Sequence, residues 1–200
     1  SLKEDYGADR KTENILVTIG GSEAVYLMAA AYINPGDEAV VLDPDYSAYA
    51  EAVRLFGGEA IPAAVGADLH IDLEEVNRRV TPKTKMIFLS NPCNPTGMVY
   101  TEAAIRGLAR IAQQNNLLLV VDEVYHKLLY DNAKHFSVCQ IDEAQDRMVL
   151  INSFSKTYAM TGWRIGYLVA DAQIIKTLSG LHKSLLICAP GHVQKACVAA

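Results

Sequence analysis

An α/β fold, with a mainly parallel sheet covered by helices on both faces, is the architecture this sequence predicts, and three observations predict it. Short apolar runs rich in β-branched residues alternate with stretches of helical spacing. The runs are apolar at nearly every position, as strands buried on both faces are. Turn signals sit at the joints, notably Asn34-Pro-Gly-Asp37, Gly57-Gly58 and two Asn-Pro pairs.

Taken in order, the expected strands are Ile15-Leu-Val-Thr-Ile19, Ala39-Val-Val-Leu42, Met86-Ile-Phe-Leu89, residues 117–121, Met148-Val-Leu-Ile151 and residues 165–169. The segments between them read as helices. In residues 102–113, for example, Ile105, Leu108, Ala109 and Ala112 fall at the i, i+3, i+4, i+7 spacing of an amphipathic helix, and Thr101 is placed to cap it. Strand and helix in regular alternation imply a parallel sheet with helices packed on it. No internal repeat, low-complexity tract or linker interrupts residues 1–200, so one domain is expected. In such a sheet ligands gather at the carboxyl ends of the strands. A strand followed by a loop rich in glycine or asparagine recurs at Gly20, Asn91, Asp122 and Ser153, so residues distant in sequence are expected to converge on one crevice.

Composition excludes several classes of function. Half of the 200 residues are hydrophobic, enough to bury a sizeable core. The balance of 18 basic and 23 acidic residues gives a net charge of -5, and no basic run tracks a phosphate backbone, so nucleic acid is not an expected partner. No stretch approaches the roughly 18 uninterrupted apolar residues of a membrane span. The polar start also lacks a signal-peptide pattern, so a cytoplasmic location is expected. Cys93, Cys139, Cys188 and Cys197 are scattered and form no Cys-x-x-Cys pair, which predicts reduced thiols and argues against a zinc ribbon. No metal site is expected, because His70, His126, His135, His182 and His192 form no close helical ligand pair. The chain begins without methionine and stops at Val198-Ala-Ala200 without a capping signal, and it reads as a piece of a longer protein.

The chemistry is concentrated in Ser153-Phe-Ser-Lys156-Thr-Tyr-Ala-Met-Thr-Gly-Trp-Arg164. An amine forms a Schiff base with a carbonyl, and Ser153, Ser155 and Arg164 supply groups that hold a phosphate on the same molecule. Pyridoxal 5'-phosphate carries both functions. Upstream, Gly20-Gly-Ser22-Glu23 opens a helical run and reads, taken alone, either as a tight turn with a serine cap or as a phosphate loop. Asn91-Pro-Cys-Asn94-Pro-Thr-Gly97 is either an Asx turn or a rigid loop presenting an amide to an oxyanion. Asp122 ends a buried apolar run, where a carboxylate needs a charged or hydrogen-bonded partner.

Together these motifs closely resemble the class I/II aminotransferases of pyridoxal-phosphate fold type I, over residues 15–169. The resemblance implies a three-layer α/β/α large domain with a mainly parallel mixed sheet. It implies that Gly21, Ser22 and Glu23 donate hydrogen bonds to the phosphate and that Arg164 grips it bidentately. Tyr46 would stack on the pyridine ring, and Tyr49 is left to the core. Asn94 and Tyr125 would share the phenolic oxygen, while Asp122 pairs with the ring nitrogen. Ser153 belongs to the phosphate-binding set, and Lys156 is both the amine that carries the cofactor and the base of the reaction. Asn91 is expected to be structural.

The family's N-terminal segment and C-terminal small domain are not represented in this sequence, and Tyr6 sits too close to the Gly20 loop to serve as that segment's phosphate-binding tyrosine. The expected parent is a homodimeric transaminase moving an amino group from an aspartate- or aromatic-type amino acid to a 2-oxo acid, with the 200 residues alone nearly inactive. The same cofactor anchors would serve a carbon–sulfur lyase or another elimination enzyme. A nucleotide-binding module or a non-catalytic interaction domain explains the sheet and the Gly20 loop but leaves Lys156 without a role.

Overall fold

The computed structural model describes residues 3, 6, 7, 10–141 and 144–200. Seven strands make one sheet: β1 (Ile15–Thr18), β2 (Glu38–Asp43), β3 (Glu59–Ala64), β4 (Thr84–Ser90), β5 (Leu118–Asp122), β6 (Met148–Ser153) and β7 (Gly166–Val169). Their spatial order is β1-β7-β6-β5-β4-β2-β3. The pairs β2–β3, β2–β4, β4–β5 and β5–β6 are parallel, whereas β7 runs antiparallel to both β6 and β1. The sheet is thus mixed and mainly parallel, as the fold class predicted.

Six of the seven strands coincide with expected runs, and the seventh, β3, carries no comparable signal. Its sequence, Glu-Ala-Ile-Pro-Ala-Ala, is poor in β-branched residues and contains Pro62. Proline is tolerated there because β3 is an edge strand with only β2 beside it.

Helices α1 (Gly20–Tyr32), α2 (Ala48–Leu55), α3 (Leu73–Arg79), α4 (Glu102–Gln114), α5 (Phe154–Thr157), α6 (Ala172–Leu186) and α7 (Gly191–Ala199) follow the strands. Alternate residues of the inner strands feed two cores. Val40, Leu42, Ile87, Leu89, Leu119, Val121 and Leu150 pack with α3 and α4 on one face. Ala39, Val41, Met86, Phe88, Val120, Val149 and Ile151 pack with α1, α2 and α6 on the other. This two-residue alternation with both faces buried is why the strands read as continuous apolar runs.

Burial of this kind fixes the strand ends, and the carboxyl ends of β4, β5 and β6 carry Ser90, Asp122 and Ser153. Ser90 pairs in register with Asp122. Asn91 is fully buried, with its Oδ1 accepting from the Tyr100 N–H at 2.9 Å and its own N–H donating to the Asp122 carbonyl at 2.9 Å, a scaffold role for the loop that follows. Tyr6 is buried and its hydroxyl accepts from Asn152 Nδ2 at 2.6 Å, so it belongs to the interior of this chain. Among the described residues no helix is long and apolar enough to cross a membrane.

Candidate active site

A cavity of about 250 Å³ opens where β4, β5 and β6 end, and it is lined by Gly21, Ser22, Tyr46, Asn94, Asp122, Tyr125, Ser153, Lys156 and Arg164. Those are nine of the ten site residues expected from the sequence. The tenth, Glu23, does not line it. Its carboxylate turns back along the helix, where Oε2 accepts from the Ile19 N–H and Oε1 meets His182 Nδ1 at 2.6 Å. Glu23 thus holds the turn that precedes the glycines, and no side chain caps the start of α1. The first amides of a helix lack intrahelical acceptors, which leaves those of Gly21 and Ser22 at the cavity wall for an anion.

Two glycines permit that wall. Gly20 has φ +74°, and a Cβ there would lie 2.5 Å from Arg164 Nη2, so the guanidinium rests where a side chain would otherwise be. Gly166 faces the same turn, and a Cβ on it would come within 2.8 Å of Gly21 N. Arg164 is itself left-handed at φ +52° and donates from Nη1 to the Thr161 carbonyl at 2.7 Å. That leaves the outer edge of the fork to the cavity.

Ser153 caps α5, its Oγ accepting from the Ser155 N–H at 3.3 Å, and the short helix projects Lys156. Lys156 is exposed, and its Nζ sits 5.6 Å from the centre of the Tyr125 ring. An exposed ammonium at that distance from a ring gains little from it.

The floor is different. Asp122 is buried and its Oδ2 accepts from the Tyr49 hydroxyl at 3.2 Å, while Oδ1 accepts from the Val124 N–H at 3.1 Å. Burial pushes its carboxyl up to about 6, against the opposing pull of those two donors and of Lys156. The adjacent Glu123 points to the opposite side of the sheet end. Its Oε1 accepts from the Val138 N–H at 2.8 Å, its Oε2 lies 3.5 Å from His135 Nε2, and burial raises it to about 8.

Tyr49 lies in the core, as its sequence context predicts, buried and stacked on Phe88 with ring centres 5.4 Å apart. Its hydroxyl nevertheless reaches the site through Asp122. Tyr46 is more exposed and stands edge-on to Tyr49 at 5.6 Å. The three-residue spacing of the two tyrosines was the available signal: Tyr46 lies just before α2 and Tyr49 in its first turn, with the Tyr49 N–H donating to the Tyr46 carbonyl at 3.2 Å.

Among the described residues no cluster of histidine, cysteine and carboxylate side chains could hold a metal ion. The donor set instead suits pyridoxal phosphate. One accessible amine, a cradle of amides and a guanidinium against glycine, and a buried carboxylate whose hydrogen-bond donors are neutral match an aldehyde, a phosphate and a cationic ring nitrogen respectively.

Comparison with known proteins points the same way. The family model described as aminotransferase class I and II matches residues 2–200. A probable aspartate aminotransferase of Methanocaldococcus jannaschii is 42% identical over all of this chain and 54% of its own length. Among solved structures, an aspartate aminotransferase from Thermus thermophilus with maleate superposes with a TM-score of 0.94 at 34% identity, covering 98% of this chain and 51% of that one. An aromatic aminotransferase from Pyrococcus horikoshii gives a TM-score of 0.94 at 31% identity, over 99% and 54% of the two chains. The chain spans about half the length of the curated relatives it matches.

Proposed function

On the premise that this chain belongs to the class I and II aminotransferases, we propose that residues 1–200 are the cofactor-binding domain of a pyridoxal-phosphate-dependent transaminase that moves an amino group from an aspartate- or aromatic-type amino acid to a 2-oxo acid. The observation that carries the reading is the convergence of Lys156, Asp122, Asn94, Tyr125, Ser22 and Arg164, drawn from four separate strand ends, on one cavity. When bound, pyridoxal phosphate supplies an aldehyde for amine exchange and a cationic ring that withdraws electrons from the substrate's α-carbon.

The chain's own residues do the rest. Arg164, Ser22 and the first-turn amides of α1 bind the phosphate and fix the register of the cofactor, with Ser153 beside them. Tyr46 covers the ring and excludes water, while Asn94 and Tyr125 donate to the phenolic oxygen. Asp122, ionised, keeps the ring nitrogen protonated. Lys156 Nζ holds the cofactor at rest and, displaced by the substrate amine, takes the proton from the substrate α-carbon.

Transamination belongs in this proposal to the whole protein, as a homodimer, and steady-state turnover by these residues alone would contradict it. A cytoplasmic location is supported by four unpaired thiols, Cys93, Cys139, Cys188 and Cys197. The direct test is an absorbance titration with pyridoxal phosphate, then borohydride trapping and peptide mapping. The pyridoxyl mass is expected on Lys156, with no comparable trapping in Lys156→Ala; the mass on any other lysine overturns the assignment.

A further inference from the structure

One carboxylate joins the two loops that carry Tyr46 and Asn94. Asp45 is half-buried between β2 and β4. Its Oδ1 accepts from the Tyr46 N–H at 2.7 Å and from the Ser90 hydroxyl at 2.5 Å, and its Oδ2 accepts from the Ser90 N–H at 2.9 Å. The Ser90 hydroxyl, having given its proton to Asp45, accepts in turn from the Asn94 N–H at 2.9 Å. The chain Tyr46–Asp45–Ser90–Asn94 therefore ties a residue after β2 to a residue after β4 through four hydrogen bonds, three of them to a carboxylate. A second, weaker tie joins the same two loops, the Cys93 thiol lying 3.5 Å from the Pro44 carbonyl.

We propose that Asp45 is a positioning residue that clamps the Tyr46 and Asn94 loops into one rigid wall, so that the ring-covering and oxygen-binding groups of the cofactor site are set at a fixed separation. The inference rests on the reading of the cavity as a pyridoxal-phosphate site. Asp45 does not itself line the cavity, and it acts through Tyr46, Ser90 and Asn94, which do. Three donors converging on one carboxylate match its acceptor sites more fully than an amide can, because Asn at this position turns an N–H toward the Ser90 N–H or toward the Ser90 hydroxyl and Tyr46 N–H. Burial raises the Asp45 carboxyl to about 7, with Ser90 and the Tyr46 amide opposing the shift and Asp122 adding to it, as expected of a carboxylate enclosed by its partners.

The test combines hydrogen exchange on the cofactor-free chain with a pyridoxal-phosphate titration followed by visible circular dichroism, on wild type, Asp45→Ala, Asp45→Asn and Ser90→Ala. In Asp45→Ala, exchange is expected to accelerate together in residues 44–47 and 91–97. Asp45→Asn should be intermediate, and Ser90→Ala should loosen mainly residues 91–97. The dissociation constant for pyridoxal phosphate is expected to rise about tenfold in Asp45→Ala, the scale of losing charge-assisted hydrogen bonds. The dichroism of the bound ring, which reports its orientation, should weaken at saturating cofactor.

Faster exchange confined to residues 44–47, with affinity and dichroism unchanged, overturns the clamp. If Asp45→Ala does not fold, Asp45→Asn and Ser90→Ala decide by the same criteria. Borohydride trapping on wild-type Lys156 tests the site reading independently. If trapping fails while the two loops still loosen together, the clamp stands as a structural device and the cofactor assignment falls.

Discussion

The cavity has two unlike halves. Its lip, formed by Ser22, Lys156 and Arg164, is exposed, cationic and built from groups with few protein partners. Its floor, formed by Asp122, Tyr49 and Ser90, is buried and anionic, and every polar group in it is wired to another residue of the chain. The lip thus offers exposed groups at the cavity mouth, whereas the floor is supplied by packing that sets the charge and place of one carboxylate. In physical terms the lip contributes attraction and geometry, and the floor contributes preorganisation in a low-dielectric setting.

The largest effect that separates the halves is expected from Asp122→Asn. The amide keeps the shape and can still accept from Tyr49, but it cannot balance a protonated ring nitrogen, so affinity for pyridoxal phosphate should fall about 100-fold or more, the scale of removing one partner from a buried charge pair. The sign of the pH dependence follows from the same group. In the cofactor-free chain Asp122 loses its proton near pH 6, so wild-type affinity should drop as pH falls through about 6 and level off above it. In Asp122→Asn that component should vanish. Titrations between pH 5 and pH 8 check this on the order of one unit, and a wild-type profile that is flat through pH 6 would remove Asp122 from its assigned role.

Arg164→Lys tests the lip and should cost less. Lysine preserves the charge but loses the planar fork, so the expected loss is about tenfold in affinity for pyridoxal phosphate, with little change for pyridoxal itself. Equal losses for both molecules would show that Arg164 does not read the phosphate. Since the lip is exposed, its contribution should also weaken as salt is raised, while that of the floor should not.

The two halves were also unequally legible in the sequence. Lys156 and Arg164 lie eight positions apart in one stretch, and Gly20, Gly21 and Ser22 are adjacent, so the lip is a matter of local chemistry that a short motif can express. Asp122 was legible because a carboxylate ending an apolar run is costly unless used. The wiring below it was not. Tyr49 meets Asp122 across 73 positions and Asp45 meets Ser90 across 45, contacts that depend on which strands are neighbours and in what register. Nothing in the composition of β2, β4 and β5 encodes that order. Glu23 shows the converse limit: its place beside the Gly20–Ser22 turn suggested a ligand contact, but its side chain meets His182, which only tertiary packing brings near. Among the strands, β3 carries no legible signal because an edge strand needs neither β-branched residues nor every N–H donor.

The smallest and sharpest comparison is Tyr49→Phe, which changes the floor by one oxygen. The ring can keep its stacking on Phe88, so the core should hold and the thermal midpoint of the cofactor-free chain should move little. Asp122, however, loses a donor that favours its ionised form, leaving burial less opposed, so its carboxyl should titrate at higher pH than in wild type. The midpoint of the affinity profile should therefore shift upward, and affinity at pH values near neutrality should fall about threefold, while well above the new midpoint it returns toward the wild-type value. An uncoupled floor predicts otherwise: the same midpoint with affinity unchanged, or a uniform loss at every pH. Either of those results would reduce Tyr49 to a packing residue and leave Asp122 to be tuned by burial and the Val124 amide alone.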